Sequence, residues 1–251
     1  RYDPATEVMV TVGASEGIDL ALRALIEPGD EVLVPDPSYV SYMPCVAFAG
    51  GVCVPVKTTA ENGFRLTADM LKARITPKTK AVIFPYPNNP TGGVMEPEDM
   101  KELAAALDGT DIVVIADEIY AELTYTGRPH VAFASIPGMR ERTITLNGFS
   151  KAFAMTGWRM GYACAPKEIL DVMMRVHQYT IMCAPTAGQY AAVEALKSGL
   201  ETDFADVKRM VRQYDRRRRV IVDGLRAAGL ETHEPLGAFY AFPCVRSTGM
   251  T

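Results

Sequence analysis

The sequence predicts an α/β fold, a mostly parallel sheet covered by helices on both faces. Three observations predict it. Apolar runs of strand length alternate with segments of helical periodicity. Turn chemistry separates nearly every pair of runs. The 251 residues are 48% apolar and 22% charged, enough to bury roughly 70–75% of the unfolded surface around a core. Length alone allows between one and two domains, at about 150 residues each.

The first strand is expected at Val8–Val12, turning through Gly13-Ala14-Ser15 into a helix. Ile18, Leu22, Leu25 and Ile26 fall at i, i+4, i+7 and i+8 of that helix, which makes one buried face. Pro28-Gly29-Asp30 stops it before a strand at Glu31–Val34. Further strands are expected at Gly51–Val56, Ala81–Phe84, Ile112–Ala116, Thr143–Leu146 and Met160–Ala163, with helices near 39–49, 67–75, 97–107 and 166–178. After Pro185 come helices near 186–198 and 203–228, then a last strand at Phe239–Phe242. The long helix reads as a crossing between domains. No repeat of solenoid spacing and no low-complexity tract interrupts the pattern.

Lys plus Arg number 26 against 30 Asp plus Glu, a net charge of −4. That balance provides no field to hold nucleic acid or an anionic membrane, and the run Arg216–Arg219 reads as a solvated helix face. The five cysteines are odd in number and form no Cys-x-x-Cys pair, which argues against a disulfide framework or a zinc site. No apolar stretch reaches membrane-spanning length, and no targeting segment is visible, so a cytoplasmic protein is expected. The chain starts at Arg1 rather than Met, and a piece of a longer polypeptide is expected for that reason.

In open α/β sheets, ligands bind at the carboxyl ends of strands. Four places there carry chemistry. Gly13-Ala14-Ser15-Glu16-Gly17 opens a helix, where backbone N–H groups and the helix dipole suit a phosphate. The same residues match Gly-x-Ser-x-Gly, and Ser15 with Asp117 or Asp203 and His233 would make a hydrolase triad in chain order. Only 14 residues precede Ser15, too few for the strand and loop that complete an oxyanion hole. The second place, Pro85 to Gly93, is a rigid turn carrying two adjacent asparagines, Asn88 and Asn89. At the third, Asp117 follows an apolar strand, and a buried carboxylate there needs a cationic partner; exposure to solvent is the plain alternative. The fourth, Asn147 to Lys151, puts an amine among Phe149, Ala152, Phe153 and Ala154. Poor hydration lowers an ammonium pKa and makes the amine nucleophilic enough for a Schiff base. Arg159 can fork onto a phosphate. An amine, an acid, an amide and a phosphate cradle together are the needs of pyridoxal phosphate.

Thr11 to Gly17, Pro28-Gly29-Asp30, Asn88 to Gly92, Asp117 to Tyr120, Ser150 to Arg159 and Gly237-Ala238-Phe239-Tyr240 stand in the order found in the class I and II aminotransferases of fold-type I pyridoxal-phosphate enzymes, which this chain resembles over its whole length. His177-Gln178-Tyr179 and Tyr86 to Pro90 most resemble the aromatic and N-acetyl-diaminopimelate members. The resemblance implies a three-layer α/β/α large domain with a seven-stranded sheet over residues 1–210, and an interdomain helix and the start of a small domain over 211–251. It implies that Lys151 forms the Schiff base and shuttles the proton, that Asp117 keeps the pyridine nitrogen protonated, and that Asn89 and Tyr120 hydrogen-bond the phenolic oxygen. Tyr39 would stack on the ring; Ala14 and Ser15 would offer amides to the phosphate, with Arg159 as counter-cation.

The implied reaction moves an amino group between an L-amino acid and a 2-oxo acid in a homodimer. A lyase or decarboxylase on the same scaffold, or a silent pyridoxal-phosphate-binding regulator, are the alternatives. Two departures stand out: Gly148 occupies the place where many relatives have a phosphate-binding Ser or Thr, and the family's substrate-carboxylate arginine and N-terminal arm are expected outside residues 1–251. The chain by itself is therefore expected to bind cofactor and to transaminate poorly or not at all.

Overall fold

The computed structural model describes residues 1–250. Seven strands form the central sheet: β1 (Val8–Val12), β2 (Glu31–Asp36), β3 (Val52–Lys57), β4 (Thr79–Phe84), β5 (Val113–Asp117), β6 (Thr143–Gly148) and β7 (Met160–Cys164). Their spatial order is β1-β7-β6-β5-β4-β2-β3. Only β7 runs against its neighbours, pairing antiparallel with both β1 and β6. The other six therefore share one direction, and their carboxyl ends share one edge. The start of β7 lies on that same edge.

Alternation along the strands builds two cores, because successive side chains leave a strand on opposite faces. Val32, Val34, Ala81, Ile83, Ile115, Ile144 and Leu146 pack on one face. There they meet α1 (Gly13–Leu25), α2 (Tyr42–Phe48) and α6 (Lys167–Thr180). Leu33, Val82, Phe84, Val114 and Ala116 pack on the other, under α3 (Ala68–Lys72) and α4 (Pro97–Ala106). Helix α4 starts with Pro97 behind a Glu96–Asp99 capping box, which satisfies donors that the first helical turn leaves unpaired.

The remaining helices are α5 (Phe149–Ala152), α7 (Thr186–Glu201) and α8 (Ala205–Ala227). Arg218 on α8 departs from the expected solvated face. Its side chain is 13% exposed, pairs with Asp215 at 2.8 Å and with Glu234, and lies over the Tyr125 ring. The expected strand at Phe239–Phe242 does not form. A two-residue hairpin, β8 (Glu231–Thr232) with β9 (Pro243–Cys244), takes its place. Between them, residues 235–240 cross the carboxyl edge as a strap. Leu236 and Gly237 donate to the Gly92 carbonyl at 2.9 Å each, and Ala238 donates to the Leu123 carbonyl at 2.9 Å. These bonds bind the strap to loops instead of to a sheet, so strand periodicity there carries no ladder. Gly92 has φ +71, and a Cβ on it would sit 2.2 Å from Pro235, so only glycine lets the strap close on this loop.

Candidate active site at the carboxyl edge of the sheet

A cavity of about 250 Å³ opens at the carboxyl edge, lined by Ala14, Ser15, Tyr39, Asn89, Asp117, Tyr120, Lys151 and Arg159 among others. All eight residues expected to form the site thus come together. A larger cavity of about 580 Å³ lies behind β1 and β7, lined mainly by apolar residues such as Val8, Phe149 and Leu196. Chemistry, not volume, distinguishes the first.

Strand parity explains which carboxylate enters it. Asp117 shares the face of Ile115, whereas its neighbour Glu118 takes the opposite face. Both are almost fully buried, at 5% and 3% exposure. Glu118 accepts the Phe133 N–H at 2.9 Å and stands 3.2 Å from His130. Asp117 accepts the Tyr42 hydroxyl at 2.8 Å and the Ile119 N–H at 3.2 Å. Among the described residues no cationic side chain touches Asp117; a phenol and a backbone N–H hold it instead. Burial nevertheless raises the Asp117 pKa above its ordinary value, against the lowering effect of these hydrogen bonds and of Lys151.

Lys151 stands on α5, one turn past the end of β6. Its neighbours differ from those expected. Nζ lies 5.6 Å from the Tyr120 ring centroid and 5.1 Å from that of Phe239, while Phe149 and Phe153 pack on each other. Burial lowers its pKa, the Arg159 charge lowers it further, and Tyr39 and Asp117 oppose that shift. The amine is thereby moved toward its neutral, nucleophilic form.

The phosphate-like end is built by α1 and the start of β7. Helix α1 has no side-chain cap at its N-terminus, which leaves its first N–H groups without a side-chain acceptor, and Ala14 and Ser15 line the cavity there. Arg159 arrives there because β7 is the reversed strand. Its Nη1 donates to the Thr156 carbonyl at 3.0 Å, and its guanidinium lies so near Gly13 that a Cβ there would be 2.6 Å from Nη2. Gly13 has φ +70. Behind the turn, a Cβ on Gly161 would sit 2.5 Å from the Ala14 nitrogen. Gly148 has the same cause: a side chain would strike the Met160 carbonyl at 2.7 Å. Ser150 and Thr156 line the cavity instead.

The two asparagines separate. Asn88 is 1% exposed, and its Oδ1 accepts both the N–H and the hydroxyl of Thr91, so it holds the turn. Asn89 faces the cavity. The hydrolase triad is not assembled: His233 packs edge-on against Phe64, and Asp203 pairs with Lys208. Tyr42 and Tyr240 were missed as site residues. Tyr42 follows Tyr39 by three residues, a spacing that could have flagged it, and the two rings meet edge to face at 5.5 Å. Tyr240 touches the hydroxyl of Tyr120 at 2.7 Å, a contact spanning 120 residues with no local signal. His177, read only as part of a resemblance, is buried and bonded through Nδ1 to Glu16 at 2.9 Å, tying α6 to the first turn of α1.

Comparison with known proteins places the chain in a family. The family described as "Aminotransferase class I and II" matches residues 1–250. An aspartate aminotransferase of Pyrococcus abyssi is 46% identical over 99% of this chain and 64% of its own length. The aromatic-amino-acid aminotransferase 2 of Thermococcus litoralis is 44% identical over the same shares. Among solved structures, an aromatic aminotransferase from Pyrococcus horikoshii superimposes with a TM-score of 0.96 at 46% identity, covering 100% of this chain and 67% of that one. The N-succinyldiaminopimelate aminotransferase from Mycobacterium tuberculosis gives 0.92 at 37% identity, covering 100% and 64%. The chain thus spans under two thirds of the curated relatives' length.

Proposed function

The chain belongs to the class I and II aminotransferase family, and from that premise we propose that it carries the pyridoxal-phosphate site of an enzyme moving an amino group between an L-amino acid and a 2-oxo acid. The observation that carries the reading is Lys151: an amine with depressed pKa, beside a buried carboxylate, in one cavity with an uncapped helix N-terminus and an arginine.

The residues present fit the cofactor. The Ala14 and Ser15 N–H groups and Arg159 suit a dianionic phosphate, and the glycines at 13 and 161 leave room for the turn that aims them. Asp117 suits a protonated ring nitrogen, which supplies the cation its burial calls for. Asn89 and Tyr120 suit the phenolic oxygen, and Tyr39 the ring face. When bound, pyridoxal phosphate supplies an aldehyde and an electron-accepting ring that spreads the charge left when an amino acid loses its Cα proton.

Lys151 would hold the aldehyde through Nζ, and its amine, free of that bond, could accept and return a substrate Cα proton as general base and acid. Its lowered pKa keeps the amine ready for both. Asp117 would keep a ring nitrogen protonated, and the Tyr42 hydroxyl bond fixes the carboxylate's direction. Tyr120 would donate from Oη to the phenolic oxygen, and Arg159 would anchor the phosphate and so keep the reacting atoms near Lys151.

We also propose that the protein works as a homodimer in the cytoplasm, with residues 1–210 as the large domain and 211–251 beginning the small one. The relatives' names span aspartate, aromatic and N-succinyldiaminopimelate substrates, so the donor is assigned only as an L-amino acid. The test is the visible spectrum of the full-length protein, with and without Lys151→Ala, during titration with amino acids. A yellow species that bleaches with one donor class, and that never forms in the variant, is the expected result. Bleaching by no donor would remove the aminotransferase reading.

A further inference from the structure

Tyr240 reaches the cavity from the strap, not from any strand of the sheet. Its ring meets that of Tyr120 edge to face, with centroids 5.9 Å apart, and the two hydroxyl oxygens are 2.7 Å apart. The strap is held just before this contact by bonds to two separate loops. Leu236 and Gly237 bond to Gly92, Ala238 bonds to Leu123, and Tyr125 donates to the Ala238 carbonyl. Ala238, fully buried with φ +57, sits in the left-handed region that an L-residue occupies only under constraint. Phe239, stacked on Tyr214, closes over Lys151.

A phenol has one proton to donate and two lone pairs. Tyr120 can therefore give its proton either to Tyr240 or to a ligand oxygen in the cavity. An anionic oxygen is the stronger acceptor, because hydrogen bonds to ionised groups are roughly twice as strong as neutral ones. With Tyr120's proton drawn that way, the remaining 2.7 Å contact requires Tyr240 to donate. Chained donors polarise one another and strengthen the terminal bond.

We propose that Tyr240 is a positioning residue that donates to Tyr120 and thereby directs and strengthens the Tyr120 hydrogen bond to the phenolic oxygen of the bound cofactor. The inference rests on the pyridoxal-phosphate reading above. It makes the C-terminal strap a sensor in the electronic tuning of the site: a shift of residues 235–240 moves Tyr240 and changes how firmly Tyr120 holds the phenolate.

The experiment is a pH titration of the visible chromophore in the full-length protein loaded with pyridoxal phosphate. Tyr240→Phe removes the donor, leaves the ring, and is expected to raise the chromophore's midpoint by roughly half a pH unit, the size of one modest hydrogen-bond contribution. In a Tyr120→Phe background the same change is expected to have no effect. Fluorotyrosine at 240, a more acidic phenol, is expected to lower the midpoint, a sign that mere loosening of the strap would not produce, and it keeps the test open if the Phe variant does not fold. A midpoint unmoved by Tyr240→Phe, or moved equally in the Tyr120→Phe background, overturns this inference alone. Absence of any chromophore in the unmutated protein overturns it together with the reading on which it rests.

Discussion

At the end of β5 the two faces of the sheet hold two buried carboxylates one residue apart, and they do different things. Behind the sheet, Glu118 serves structure: it accepts the Phe133 N–H, and His130 Nε2 stands 3.2 Å from its other oxygen. In front, Asp117 keeps company with a phenol, a backbone N–H and a lysine across an open cavity, and its pKa is raised. Burial is common to both. The difference is strand parity, which decides whether a buried carboxylate meets the loop at Phe133 and His130 or the open cavity.

The comparison breaks most sharply on activity. Asp117→Asn is expected to lower the amino-transfer rate of the full-length protein by about 10²-fold or more, in the range of a lost preorganised electrostatic contact, whereas Glu118→Gln is expected to stay within about threefold of the parent. Steady-state kinetics on the two variants checks this, and equal losses would erase the distinction.

Stability sharpens it with opposite signs. A raised Asp117 pKa means that the folded chain holds a proton that the unfolded chain releases, so this contribution is full below the ordinary value of 3.8 and is lost as pH rises through the folded value. At neutral pH, above that ordinary value, burying this acid is a cost, and Asp117→Asn is expected to raise the melting temperature of the ligand-free protein by about 2–4 °C, the response of a chain this size to roughly 1 kcal/mol. Glu118→Ala strands the Phe133 N–H and is expected to lower it by a similar or larger amount, since an unpaired buried donor costs about 1–3 kcal/mol. Lys151→Met adds a pH signature. The lysine's pKa lies below 10.5 in the folded chain, so the gain from removing it is expected to be full below the folded value and to vanish as pH rises from there toward 10.5. Thermal melts across pH read all three.

Smaller effects are expected at the phosphate end. Gly13→Ala places a side chain at φ +70 against Arg159; a left-handed penalty of about 1–2 kcal/mol corresponds to roughly tenfold weaker cofactor retention, measured by dialysis against competing aldehyde. His177→Ala removes the buried bond to Glu16 and is expected to weaken retention by only a few-fold, because the helix end remains and only its anchor is lost.

Most of the fold was legible because both of its cores depend on local alternation. Val32, Leu33 and Val34 announce a strand buried on two faces before any neighbour is known. The site was legible wherever a residue follows directly from a strand's end, as Asp117 and Lys151 do. Three features were not. Asn88 and Asn89 are chemically identical, and only the Thr91 contacts show that one is a turn brace. Tyr240 depends on a strap whose hydrogen bonds come from residues 92 and 123, and that dependence also explains the misplaced strand at Phe239–Phe242. Arg218 looked solvated because its partner Glu234 and the Tyr125 ring are distant in sequence. Long-range closure, rather than weak patterning, hid Tyr240 and Arg218, whereas Asn88 is set apart by a local contact three residues along the chain.

The central claim is that one amine, that of Lys151, captures the cofactor aldehyde. Borohydride reduction of the full-length protein incubated with pyridoxal phosphate, followed by peptide mapping, tests it most directly. Stoichiometric label on Lys151, lost in Lys151→Ala, is the predicted result; label concentrated on any other lysine, or none at all, would contradict it.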